Sequence, residues 1–186
     1  MIQRRETLEG SAALVAFVLT IPVANWMIGH VGTICLPAAP CLIPVAPGLS
    51  APSGVLMAGL ALVLRDLVQR RLGITASVAA VGAGGLLSVA IAPVPVAVAS
   101  TAAFLLSELA DLLVYTPLQR RRFLTAVIAS SAVGLAVDSA VFLKLAFGSL
   151  DFLPGQIVGK LWMVAASIPF LIWLRRRDER LGVQPA

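Results

Sequence analysis

The sequence contains few charged residues. Lys, Arg, Asp and Glu make up 12% of the chain and hydrophobic residues 59%, whereas a soluble domain has about 25% charged and about 45–50% apolar residues. A water-soluble fold cannot bury so much apolar surface. The 186 residues are therefore best divided into membrane-spanning helices of about 20 residues each. The composition predicts an all-α membrane protein.

Metal-ligating and catalytic residues are also scarce. The chain has one histidine, His30, and two cysteines, Cys35 and Cys41, too few to indicate a zinc site. It has no His-Glu-x-x-His, Gly-x-Ser-x-Gly or Walker A sequence, which disfavours zinc proteases, serine hydrolases and ATP-driven pumps. "GLAVD", ending at Asp138, also lacks the glycine two positions before the aspartate of intramembrane aspartyl proteases. We expect neither an enzyme nor a metal or organic cofactor.

Apolar runs predict six membrane-spanning helices in one integral membrane domain over residues 1–186. Each run has nearly the length that an α-helix needs to cross about 30 Å of hydrocarbon. The predicted helices cover about 10–28, 51–69, 74–92, 97–117, 123–147 and 156–174.

Arginine clusters stand at alternate ends of these runs. The connections at about 29–50, 93–96 and 148–155 contain no Arg or Lys. The positive-inside rule therefore places both termini in the cytoplasm of a multi-pass inner-membrane protein. The clusters also account for the net charge of +5 without a nucleic-acid partner. They are Arg4 and Arg5; Arg70 and Arg71; Arg120, Arg121 and Arg122; and Arg175, Arg176, Arg177 and Arg180.

The predicted outer loop at 29–50 is rich in proline and apolar residues. Proline stiffens the chain, so the loop is expected to cap the mouth of the bundle or to re-enter the membrane edge, with a plain connector as the alternative. Cys35 and Cys41 lie on the side of the membrane where a disulfide is chemically permitted. The sequence leaves open whether they form one.

Two acidic residues lie inside the fourth apolar run. Thr101, Phe104, Glu108, Asp111 and Tyr115 have the three- and four-residue spacing of one helix face. An ionisable group near the middle of a membrane-spanning helix is costly unless it faces the bundle interior, water or a partner, which makes it a functional candidate. Glu108 is placed most centrally.

Further charged residues in neighbouring runs are candidate partners. Asp138 lies in the fifth run, Lys160 in the sixth, and Arg65 and Asp66 near the end of the second. Lys144 falls on a different face from Asp138 and is expected to extend to the interface. The alternative is that these charges pair only to hold the helices in register, although buried ion pairs stabilise poorly compared with apolar packing. A polar pocket near the midplane without a catalytic set favours a small-molecule carrier.

Four segments resemble conserved blocks of the VUT family of queuosine-precursor transporters: "PSGVLMAGLALVLRDLVQRRLG" (52–73), "ELADLLVYTPL" (108–118), "SAVGLAVDSAVFLKLAFG" (131–148) and "GQIVGKLW" (155–162). The resemblance implies a six-helix inner-membrane protein that imports 7-deazaguanine bases for tRNA modification. The alternative is a substrate-binding subunit of an energy-coupling-factor-type vitamin or nucleobase importer, with an ATPase module as partner. A homo-oligomer is also left open.

The resemblance suggests a purine-like substrate and hence roles for individual residues. A carboxylate accepts the adjacent N–H and amino groups of a guanine-like base in a charge-assisted, bidentate pairing. Glu108 is the first candidate for this role and Asp138 the second. Asn25 and Lys160 are expected to contact the carbonyl oxygen or nitrile, and Trp26 or Phe104 to stack on the ring. Asp111 completes the predicted binding set, and the residues expected to be structural or gating are Arg65, Asp66 and Tyr115.

Overall fold

The computed structural model describes residues 2–35, 40–91 and 94–182. Within them the chain forms five helices and one two-stranded hairpin. All five helices are long and apolar enough to cross a membrane, which confirms the predicted helical membrane class. The elements are α1 (Ile2–His30), β1 (Leu42–Ala46), β2 (Leu49–Pro52), α2 (Val55–Ile91), α3 (Val94–Leu118), α4 (Phe123–Phe147) and α5 (Leu153–Leu181).

The helix count differs from the predicted six because α2 contains both the second and the third predicted helices. A straight helix of 37 residues would be about 55 Å long, nearly twice the hydrocarbon thickness. Gly73 interrupts it with φ 85° and ψ 173°, a conformation that glycine adopts readily because it has no Cβ.

The chain turns back on itself at Gly73. Ala61, before the break, and Ala80, after it, belong with Phe17 of α1 to one buried cluster. In a straight helix these two alanines would lie about 28 Å apart. The segments 55–72 and 74–91 therefore run side by side against α1, and each is about 27 Å long.

The helices at the two termini are longer than hydropathy predicts. The fifth predicted helix, 123–147, coincides with α4, whereas the sixth, 156–174, is extended to Leu153–Leu181 and the first, 10–28, to Ile2–His30. Arg and Glu are good helix formers, so the helices continue through the charged segments. Hydropathy detects the part of a helix that suits lipid and not the whole helix.

The loop predicted to be a cap contains strands that the sequence analysis did not predict. β1 pairs antiparallel with β2, and Cys35 and Cys41 form a disulfide. The backbone N–H of Cys41 donates to the carbonyl oxygen of Ile28 at 2.8 Å. Trp162 Nε1 of α5 donates to the carbonyl oxygen of Val45 at 2.8 Å. The hairpin is thereby attached to the ends of α1 and α5.

The opposite end of the bundle is basic. Arg71 beside the α2 turn contacts Glu9 of α1 and Asp178 of α5, and the Arg70 guanidinium lies over the Phe123 ring at the start of α4. All four arginine clusters thus belong to one end, as the positive-inside argument requires. Which side this end faces stays a prediction. Exposed arginines at this end are Arg5, Arg120, Arg121, Arg122, Arg175, Arg176 and Arg180.

Candidate functional site

A cavity of about 490 Å³ lies in the half of the bundle nearer the hairpin. Its volume is within the range of about 300–1,000 Å³ that is usual for small-molecule pockets. Its walls are mostly apolar, and about half of the lining residues belong to α1 and α2. Four of the predicted binding residues line it: Asn25, Phe104, Asp138 and Lys160.

An ion pair supplies charge to the cavity. Lys160 Nζ contacts Asp138 Oδ2 and donates to Ser139 Oγ at 2.7 Å. The Lys160 side chain is 1% exposed and that of Asp138 is 20% exposed. Lys160 is therefore enclosed with its partners, whereas the Asp138 side chain, which also lines the cavity, is partly accessible.

Close helix packing positions Lys160. A Cβ atom on Gly59 of α2 would lie 2.6 Å from the carbonyl oxygen of Lys160 and 2.9 Å from its Cα. Such short distances mean that only glycine fits between the two backbones. Small residues at this contact allow membrane helices to approach closely, and here they set the depth of the Lys160 side chain.

Phe104 and Asn25 line other walls of the cavity. The Phe104 ring stacks on Phe17, with ring centroids 6.0 Å apart and an interplanar angle of 29°. Asn25 Nδ2 donates to the carbonyl oxygen of Ile21 at 2.9 Å, so its Oδ1 is the atom that remains to accept from a ligand. The wall thus provides an aromatic face and an amide oxygen.

Trp26, for which the sequence predicts a stacking role, does not line the cavity. It is 56% exposed and stacks on His30, with ring centroids 5.3 Å apart. Consecutive helical residues point about 100° apart, so when Asn25 faces the cavity Trp26 faces outward.

Glu108 and Asp111 surround Arg65 instead of lining the cavity. Arg65 Nε lies 3.1 Å from Glu108 Oε2, Nη1 lies 3.0 Å from Asp66 Oδ1, and Nη2 lies 2.8 Å from Asp111 Oδ2. All four side chains are 0–1% exposed. We call these four residues the Arg65 cluster.

Uncharged groups complete the surroundings of this cluster. Arg65 Nη1 donates to Gln69 Oε1 at 3.3 Å, and Ser130 Oγ of α4 donates to Asp66 Oδ2 at 3.1 Å. The Arg65 guanidinium lies 5.9 Å from the centre of the Tyr115 ring. The three residues predicted to be structural or gating, Arg65, Asp66 and Tyr115, are therefore neighbours.

The recognition role predicted for Glu108 stays a prediction, and the structure places its carboxylate against Arg65. Glu108 follows Phe104 by one turn of α3, which places it deeper than the cavity wall, and its Oε2 accepts from Arg65. The spacing along one helix face correctly predicted that Glu108 points into the bundle, but it did not identify the helix that Glu108 contacts. Asp138, the second choice, is the carboxylate that lines the cavity.

The Arg65 cluster lies between the cavity and the basic end. Ala61 and Phe104 line the cavity, and Arg65 and Glu108 lie one helical turn, about 6 Å, farther along α2 and α3. Beyond the cluster, apolar side chains close the bundle. They include Leu67, Tyr115, Phe123, Val127 and Leu171.

Sequence analysis missed two features of the site. Gln156 lines the cavity, and its spacing of four residues from Lys160 on α5 could have indicated this. At the basic end, Arg70 Nη2 lies 3.1 Å from Asp178 Oδ2 and Arg71 Nη2 lies 2.9 Å from Asp178 Oδ1. The acidic pair Asp178 and Glu179 within a basic segment was the available signal for this contact.

Membrane-length helices around an apolar-walled cavity that contains an ion pair are typical of small-molecule membrane transporters. The model of the family described as "Putative vitamin uptake transporter" matches residues 91–174, and this match supports the predicted membership of the VUT family. The matched segment includes Phe104, Glu108, Asp138 and Lys160. No curated protein and no solved structure matches the chain.

Proposed function

We propose that this protein imports 7-deazaguanine bases, which feed queuosine synthesis for tRNA, across the inner membrane. The observation that carries the proposal is the Asp138–Lys160 pair in the cavity. The family match supports transport, and the resemblance of the sequence blocks to queuosine-precursor transporters supports the choice of base.

The ion pair suits the edge of a guanine-like base. The two oxygens of Asp138 accept from the ring N–H and the adjacent amino group, while Lys160 donates to the neighbouring carbonyl oxygen. Charge-assisted hydrogen bonds of this kind are strong. An analogue without the amino group would leave a buried carboxylate short of a donor, so it would bind more weakly. Phe104 provides a ring for stacking.

The arrangement of the bundle suits alternating access. The cavity lies toward the hairpin, and the Arg65 cluster and the apolar layer beyond it separate it from the basic end. Release at the basic end would require this floor to open. We propose six crossings with both termini cytoplasmic, since the two halves of α2 are each long enough to cross the hydrocarbon layer.

Uptake of labelled 7-deazaguanine bases tests the proposal, in cells that cannot make these bases and that receive this chain as the added gene. We expect uptake to fall at least tenfold in Asp138→Asn and Lys160→Met, normalised to membrane-inserted protein, because each variant removes a charged partner. Lys144→Gln is the matched control, since Lys144 is exposed on another face of α4.

Purified protein in liposomes separates the carrier from the binding-subunit alternative. A carrier moves the base when this chain is the only protein present. Tight binding without transport would instead favour the substrate-binding subunit that depends on an ATPase module. Absence of both binding and transport would contradict the proposed substrate.

A further inference from the structure

We propose that the Arg65 cluster is a proton-binding site that drives uptake, with Asp111 as the residue that carries the proton. The inference rests on the proposed transport function and adds its driving force. It concerns a site separate from the Asp138–Lys160 pair that binds the base.

Charge imbalance is the first observation. Three carboxylates, those of Asp66, Glu108 and Asp111, surround one guanidinium, and all are 0–1% exposed. In the described part of the chain, Arg65 is the cation that lies within ion-pair distance of them. Fully ionised, the cluster would carry two uncompensated negative charges away from water. Burying unpaired charge is so costly that a carboxylate takes up a proton instead.

Incomplete hydrogen bonding is the second observation, and it selects Asp111. Asp66 accepts from Ser130, and Glu108 accepts from Arg65 Nε. Asp111 Oδ2 lies 2.8 Å from Arg65 Nη2, and Ser130 also lies close to the Asp111 carboxylate. Within the described residues, Asp66 Oδ1 and Asp111 Oδ1 are both buried without a hydrogen bond of good geometry, but Asp66 Oδ1 has Arg65 Nη1 at 3.0 Å, whereas Asp111 Oδ1 has no ion-pair contact. The hydroxyl of Tyr115, one turn along the same face of α3, is likewise buried without a hydrogen-bond partner among these residues. A proton bound to Asp111 Oδ1 neutralises this carboxylate at the oxygen that has the fewest polar contacts.

The other charged groups near Asp111 lie on its own helix, α3, and on three more helices, α2, α4 and α5. Arg65 and Asp66 belong to α2, with Arg70 nearer the basic end, and Glu108 lies on α3. Asp138 of α4 lies farther toward the cavity and contacts Lys160 of α5, which neutralises it. The cluster thus retains its excess of carboxylates when all packed elements are considered.

The position of the cluster provides the coupling. We infer that the floor opens between α2 and α3, which separates Arg65 on α2 from Glu108 and Asp111 on α3. With Asp111 ionised, that separation exposes an unpaired buried charge. With Asp111 protonated, the Arg65 Nη2 contact is released at a lower cost. An O–H bond forms at Asp111 with a proton from water on the cavity side, and the proton leaves to water at the basic end.

A metal cation fits the same place poorly. The guanidinium of Arg65 occupies the centre of the three carboxylates. Among the described residues, no group of three or more His, Cys, Asp or Glu side chains is arranged to hold a metal ion. The proton is therefore the ion that we infer.

Accumulation in proteoliposomes tests the inference. The full chain is reconstituted, the membrane potential is held at zero with potassium and valinomycin, and a labelled 7-deazaguanine base is added outside. For one proton per base we expect about tenfold accumulation per pH unit of inside-alkaline gradient, and none with equal pH or with a sodium gradient alone. Asp111→Asn should exchange labelled for unlabelled base but should not accumulate it. Asp151→Asn, an exposed carboxylate outside the site, should behave as wild type.

The outcomes separate this inference from the proposed function. Base exchange without any response to the pH gradient overturns proton coupling and leaves the substrate assignment intact. Accumulation driven by sodium overturns the choice of ion. Absence of base binding overturns both proposals. If Asp111→Asn does not fold, a measurement on wild-type protein in weakly buffered detergent tests the inference. Binding of the base should change the number of protons bound to the protein and therefore the pH of the solution. An unchanged pH on binding would contradict proton coupling.

Discussion

The backbones of Gly59 and Lys160 touch where α2 meets α5. A Cβ on Gly59 would lie 2.6 Å from the Lys160 carbonyl oxygen, and the Lys160 side chain reaches Asp138 in the cavity. A residue without functional groups thus determines where the charged pair of the site is held.

Gly59→Ala should lower both stability and base affinity. The added methyl group would collide with backbone atoms that cannot move independently, and overpacking of this kind costs about 1–3 kcal/mol. Thermal unfolding in detergent and base binding by the folded fraction measure the two effects. Gly82→Ala is the matched control, because a Cβ there meets nothing within 4 Å and alanine favours helix by about 1 kcal/mol. Equal stability of the two variants would contradict the close contact.

Arg65→Met should destabilise the protein strongly. Removing the guanidinium leaves three buried carboxylates without their cation, and breaking a buried ion pair typically costs about 3–5 kcal/mol. Arg65→Lys should be intermediate, since an ammonium keeps the charge but cannot reproduce the fork that reaches three carboxylates. The folded fraction after size-exclusion chromatography in detergent measures this. Arg176→Met, at an exposed position, should equal wild type; a normal Arg65→Met protein would show that the cluster is not structural.

Asp178→Ala should loosen the basic end of the bundle, whereas Glu179→Ala should not. Asp178 is 1% exposed and lies within ion-pair distance of Arg70, Arg71 and Arg177. Its loss removes the carboxylate paired with the buried Arg70, whereas Arg71 and Arg177 keep Glu9, and breaking a buried ion pair costs about 3–5 kcal/mol. Glu179 is 59% exposed in a pair with Arg175, and such surface pairs contribute about 0–1 kcal/mol. Thermal unfolding of these adjacent variants compares them directly. Similar losses would contradict the contacts at α5.

A reporter that works only in the cytoplasm should be active after Arg122 and inactive after Asp151. This expectation follows from six crossings, in which α2 spans the membrane twice and the basic end faces inward. Reporter activity in whole cells measures it, with protein levels checked by immunoblot. The reverse pattern, with the N-terminus still cytoplasmic, would mean that α2 crosses once.

Periodicity identified which side of a helix is buried, and the structure agrees at particular residues. Glu108, Asp111 and Tyr115 were placed on one face of the fourth predicted helix, and all three are buried. Lys144 was assigned to another face than Asp138, and it is exposed. Helical geometry alone establishes both results, because each follows from the angle between positions along one helix.

The periodicity within one helix could not predict which residues of different helices contact each other. Arg65 and Glu108 are 43 positions apart, and the spacing within α3 says nothing about which helix faces it. The β-hairpin was also missed, since its proline-rich strands lack the alternation typical of a half-buried strand.

The sequence by itself determined that the protein is helical, lies in a membrane, concentrates arginine at alternate connections and buries charges in its apolar runs. Hydropathy and the helical repeat are local properties, so they can be read from neighbouring residues. Only the tertiary structure decided that Asp138 and Lys160 line the cavity while Glu108 and Asp111 surround Arg65. That choice depends on distances between helices, which the turn at Gly73 and the close contact at Gly59 set across the whole chain.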